Sequence, residues 1–152
     1  MILENATKIA YLASPLAHDQ YSVMWQRYIE VIRIRSELFK AGVAVYSPIA
    51  ENFMMEQLFL RGQPLDHWQR PEGITSTHDL YLTYDRVHLI NAGCMIIPDM
   101  EGTGASKGIR LEASICTERN IPSIFYSSRT VTARNWVVTE KAFLRPCGVM
   151  MW

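Results

Sequence analysis

Two rhythms of apolar and polar positions divide the chain. Lys8 to Ala13, Val43 to Tyr46, Cys94 to Ile97 and Ile121 to Tyr126 are short runs with little alternation, and the first three end at Ser14-Pro15, Ser47-Pro48 and Pro98. Runs of this length stopped by proline predict parallel strands buried on both faces. Between them apolar residues recur at three and four. Met24, Tyr28, Val31, Ile32, Arg35, Leu38 and Phe39 predict a helix over 19–41 that Gly42 stops, with Arg27, Glu30, Arg33 and Glu37 as its solvated face. Ser76 to Asn91 predicts a second, capped by Ser76 or Thr77, with Leu80, Tyr84, Val87 and Leu89 or Ile90 buried. Ile109, Ala113 and Cys116 share one side of a third, which runs to about Arg119. Strand and helix in alternation predict an α/β fold over residues 1–152: one Rossmann-like or flavodoxin-like three-layer sandwich with a parallel sheet and right-handed crossovers.

The pattern blurs from Ala50 to Thr77, where a short apolar piece, Phe53 to Leu60, is followed by Gly62, Pro64, Pro71 and Gly73. A long irregular connection of this kind is more often a functional loop than an accident. It carries Asp66, His67 and Trp68, and the tryptophan has two readings: a platform for a planar base or an anchor for the loop. After the last strand a weaker helical pattern covers 132–142, and the apolar tail Val149 to Trp152 predicts docking on its own domain or on a neighbouring subunit.

Composition narrows the partners. The 152 residues are 49% hydrophobic and carry no net charge, with 15 basic and 15 acidic side chains, so nothing favours a nucleic-acid polymer or an anionic membrane. No run is long enough for a membrane span, and Met1 to Lys8 lacks the pattern of a signal peptide, which predicts a cytoplasmic protein. Cys94, Cys116 and Cys147 have no metal spacing and read as core thiols; His18, His67, His78 and His88 are scattered without ligand spacing, so no metal and no cofactor is expected.

The chemistry concentrates between Asp85 and Glu112. The strand Cys94 to Ile97 feeds a turn, Asp99 to Gly108, that holds Gly102, Gly104, Gly108, Thr103, Ala105 and Ser106 before the next helix begins. Unpaired N–H groups and the positive end of a helix dipole make such a start an anion site, with Ser106 as N-cap. Glu112 follows about one and two-thirds turns in. Both early strands end in Ser-Pro at the carboxyl edge, where open α/β sheets place ligands. A dinucleotide fingerprint is excluded, because Ala13-Ser14-Pro15-Leu16-Ala17 has no glycine after the first strand; Gly104-Ala105-Ser106-Lys107-Gly108 excludes a Walker A loop.

Tyr11-Leu12-Ala13-Ser14-Pro15, Asp85 before Asn91-Ala92, and Ser106-x-Gly108-x-x-x-Glu112, in that order and spacing, resemble the nucleoside 2-deoxyribosyltransferase superfamily. That group holds base-exchanging transferases and 2′-deoxynucleoside 5′-phosphate N-hydrolases, and the resemblance covers about Lys8 to Tyr126. It implies Glu112 as the nucleophile at the anomeric carbon, Tyr11 beside it, and Asp85 as the acid that helps protonate the departing base. Ser106 and Gly108 match the phosphate-binding Ser-x-Gly of the hydrolases, where the transferases hold an aspartate at the serine position. Ser14, Pro15 and Trp68 complete the expected substrate contacts. The chain departs from many relatives in having Gly93 where they carry an acidic residue, and in having Lys107 and Arg110.

The resemblance thus implies an N-glycosidase that hydrolyses the base–sugar bond of a nucleoside or deoxynucleoside 5′-monophosphate, a modified pyrimidine among the candidates. Base exchange by a deoxyribosyltransferase and a non-catalytic nucleotide-sensing module are the alternatives. Two carboxyl groups about 5 Å apart suit a covalent, retaining displacement. Taken singly, Glu112 and Asp85 are ordinary helical carboxylates; the constellation is what points to catalysis. A homodimer or larger even assembly is expected, with the apolar tail completing a neighbour's site.

Overall fold

The computed structural model describes residues 8–127 and 143–152; the helical pattern at 132–142 lies outside them. Four strands, β1 (Ala10–Leu12), β2 (Val45–Tyr46), β3 (Cys94–Pro98) and β4 (Ser123–Tyr126), form one all-parallel sheet in the order β2-β1-β3-β4. The α-helices among the described residues are α1 (Tyr21–Lys40), α2 (Pro48–Met55), α3 (Thr77–Ile90) and α4 (Lys107–Glu118). The expected three-layer α/β sandwich is formed, with the strand order of flavodoxin-like sheets.

The period of two along each strand sorts the core into two halves. Ala10, Leu12, Cys94, Ile96, Ile124 and Tyr126 meet Val31, Ile34 and Leu38 of α1 on one face. Tyr11, Ala13, Tyr46, Met95 and Ile97 meet Leu89 of α3 and Ile109 and Cys116 of α4 on the other. β3 is buried along its whole length, which accounts for its unbroken apolar run. The chain leaves β1 toward β2 and leaves β3 toward β4, so the connections diverge at the carboxyl ends of these two neighbouring strands, the place where open α/β sheets form a ligand crevice.

Several expectations are corrected. In α1 the buried stripe is Val31, Ile34 and Leu38, while Ile32 and Phe39 are exposed, because the helix sets its narrow face on the sheet. In α3 only Leu89 is fully buried; Tyr84 and Val87 are exposed, since the sheet covers one edge of this helix. The blurred stretch after β2 is in large part helical. Ser47 caps α2 by accepting from Ala50 N at 3.1 Å, Pro48 occupies the first helical position, and a π-helical turn continues over Glu56–Leu60. Phe53 of α2 packs edge-on against Trp25 of α1, with ring centres 5.1 Å apart.

The tail docks on its own chain. Met150 N–H donates to Lys8 O at 2.8 Å, Ala44 N–H to Met150 O at 3.0 Å, and Trp152 N–H to Gly42 O at 2.9 Å. Val149 and Met151 enter the α1-side core. These contacts precede β1 and β2, at the amino edge of the sheet. Gly93 belongs to the same packing: a Cβ there would lie 2.6 Å from Cys147 O and 2.7 Å from Val149 Cγ2. An acidic side chain at this position is therefore incompatible with the docked tail. Cys94 and Cys116 are buried thiols as expected, whereas Cys147, in the tail's approach, is partly exposed.

Candidate active site

Tyr11 and Tyr46 are register partners on neighbouring strands, and strand periodicity sends both to the face covered by α3 and α4. Their rings lie 5.9 Å apart. Each tyrosine meets a carboxylate from a different helix. The Tyr11 hydroxyl donates to Glu112 Oε1 at 2.8 Å, and the Tyr46 hydroxyl donates to Asp85 Oδ1 at 3.0 Å. Helical spacing supplies the carboxylates: Glu112 is three residues after Ile109 and four before Cys116, both buried, and Asp85 is four before buried Leu89. Asp79, six before Asp85, is exposed on another face, as their spacing predicts.

Burial raises the proton affinity of both carboxyls, and the hydrogen bonds they accept from the two phenols oppose it. Glu112 is pushed up to about 7, first by burial and further by the negative charge of Asp85, while the Tyr11 hydrogen bond pulls the other way. Asp85 is also raised by burial, opposed by hydrogen bonds from Tyr46 and Asn52. Tyr11 and Tyr46 are both held far above the ordinary phenol range, again by burial first and then by their carboxylate partners. Both phenols are therefore fixed donors. A pair of carboxyls with raised proton affinity in a cleft is the environment in which one can attack while the other carries a proton.

Ser106 takes its expected place as N-cap of α4, its Oγ accepting from Ile109 N–H at 3.2 Å. The cap uses an acceptor lone pair and leaves the hydroxyl proton for a ligand. Gly108, in the first turn, is exposed, and its α-carbon has open space around it apart from Ser106 Oγ. At the end of β1, Pro15 is buried and the Ser14 hydroxyl is buried without a hydrogen-bond partner. Trp68 lies on the wall of a cavity beside α3.

Three positioning residues escaped the sequence. Tyr46 read only as the end of a strand, and Asn52 lay in the blurred stretch, yet Asn52 Nδ2 donates to Asp85 Oδ1 at 3.2 Å. The i, i+4 step from Pro48 to Asn52 was the available signal, had the Ser47-Pro48 helix start been recognised. Arg27, expected on a solvated face, donates to Ala17 O at 2.7 Å and lies against Gly102. A Cβ at Gly102 would fall 2.5 Å from Arg27 Nη2, which would have to shift, and the backbone is left-handed at φ +89°, a conformation that favours glycine. Arg27 thereby ties the loop after β1 to the turn after β3, the two walls of the crevice.

No family model matches the chain, and no curated protein matches it. Among solved structures it is similar to a 2-deoxyribosyltransferase from the psychrotolerant bacterium Bacillus psychrosaccharolyticus, with 21% identity over 78% of this chain and 71% of that one and a TM-score of 0.46.

Proposed function

We propose that this protein cleaves the N-glycosidic bond of a nucleoside 5′-monophosphate, with Glu112 as nucleophile, Asp85 as acid and Tyr11 as the residue that orients Glu112. The observation that carries the reading is the paired arrangement Tyr11–Glu112 and Tyr46–Asp85 at the strand-order reversal. Cleavage builds positive charge on the sugar and negative charge on the base, and this pair answers both. Glu112 forms a bond to the anomeric carbon as the carbon–nitrogen bond breaks; its electron pair leaves with the base, which takes the proton of Asp85. Water then attacks the anomeric carbon, gives a proton back to Asp85, and releases Glu112 as carboxylate. A free base in place of that water gives base exchange through the same intermediate.

The phosphate is assigned to the start of α4, where the Ser106 hydroxyl proton and the first-turn N–H groups are donors toward an anion. The test is chromatographic base release from a panel of ribo- and deoxyribonucleoside 5′-monophosphates beside the matching free nucleosides, with and without an added second base. Release from monophosphates, lost in folded Glu112→Ala, is expected. Incorporation of the added base would make the enzyme a transferase. A folded protein that binds a nucleotide and releases nothing would instead be a sensing module.

A further inference from the structure

Beyond Asp85 a cavity of about 460 Å³ opens between α2, the π-helical turn, the loop at Trp68 and α3. Met55, Leu60, Trp68, Leu80, Tyr81 and Tyr84 give it an apolar and aromatic wall. The Tyr81 hydroxyl is already engaged, donating to Glu56 Oε2 at 2.6 Å. Asn52 belongs both to this wall and to the Asp85 hydrogen-bond set, so the cavity begins where the acid ends. Tyr84 makes a second link, its ring centre 6.5 Å from that of Tyr46.

We propose that this cavity is the specificity pocket for the departing base, and that it takes a base carrying a large apolar substituent, an alkyl or aryl group on the ring. The inference rests on the glycosidic reading of Glu112 and Asp85 and names its substrate class. Size is the first argument: cavities of this volume enclose a drug-sized ligand, well beyond a single heteroaromatic ring. Chemistry is the second. The described lining residues include Glu51 but no lysine or arginine, so the phosphate end of the substrate is disfavoured here and belongs at α4. Position is the third, because the group that leaves toward Asp85 is the base.

Removing apolar area from water is worth about fourfold per fully buried methylene, so a butyl-sized substituent buried over even half its length gives roughly tenfold or more in affinity. The experiment pairs calorimetric binding to the Glu112→Gln protein with base release by wild type, using 5-butyl- and 5-phenyl-substituted and unsubstituted pyrimidine nucleoside 5′-monophosphates. The substituted ligands are expected to bind at least about tenfold tighter. Leu80→Trp, which fills the pocket, should collapse that ratio toward one; Trp68→Ala, which removes a wall, should reduce it and serves if the filled variant misfolds. Equal affinity for both ligand types, or a ratio indifferent to both substitutions, overturns the pocket assignment even if base release proceeds. A strong preference in binding with no release from any nucleotide sinks the glycosidic reading and leaves the pocket standing.

Discussion

Glu112 lies on the buried side of its helix with a proton affinity well above that of a free carboxylate, and two consequences follow for the folded protein. As the proposed nucleophile it must be ionised, so kcat/KM for base release should rise with pH through about 7, the value to which burial and Asp85 push it. The Tyr11 hydroxyl stabilises the ionised form; Tyr11→Phe should therefore shift this acidic limb to higher pH, as a pH–rate profile would record. An unmoved limb would separate Tyr11 from the titration. The second consequence concerns stability. A folded-state pKa above the unfolded value means the native state binds more protons, so stability falls as pH rises from about 4.5 to 7 and stays reduced above. Glu112→Gln can still accept from Tyr11 but carries no charge. It should stabilise the protein at pH 8 by up to about 3 kcal/mol, with the gain vanishing near pH 4, in denaturant titrations at the two pH values. Equal stability at pH 8 would mean that the carboxylate is better solvated than its position implies.

At the scale of elements, α4 shows how one residue can serve fold and ligand together. Ser106 caps the helix with one lone pair, and the proposed phosphate would take the hydroxyl proton. Ser106→Ala removes both and should cost about 1 kcal/mol in stability along with monophosphate affinity. Ser106→Asp separates them, because aspartate caps well yet repels a phosphate: the melting temperature should hold while KM for the monophosphate rises. A rise in KM for free nucleosides of equal size would count against phosphate at this turn. The same element was the most legible in the sequence, since cap, small-residue turn and buried helical face all lie within 99–116. The β2–α2 junction was less so. Ser47-Pro48 has the form of a strand stop as much as of a helix start, and reading it as the first hid Asn52, whose partner Asp85 is 33 positions away. Tyr46 was obscured for a related reason, as its role depends on register with Tyr11, and register between strands is set by tertiary packing. Arg27 had an amphipathic pattern around it that predicted solvent; its hydrogen bond to Ala17 O and its contact with Gly102, in a distant turn, explain its position.

On the scale of the whole molecule, the sheet separates the docked tail at one edge from the proposed site at the other. The tail hydrogen-bonds along the chain entering β1 and β2 and buries Val149 and Met151, whereas Tyr11, Glu112, Ser14 and Ser106 gather where the strands leave. Deleting residues 149–152 strips two buried side chains from the core and should cost about 3–6 kcal/mol, a large share of the stability of a domain this size. Thermal unfolding measures that loss directly. Kinetics below the new melting temperature carry the sharper expectation: KM for base release should stay at its full-length value, because the docked tail is held at the amino edge of its own sheet. An increase in KM on deletion, at concentrations where full-length and shortened chains differ in sedimentation, would mean that the tail reaches the site of a second copy, by an exchange of the segment that here folds back on its own chain.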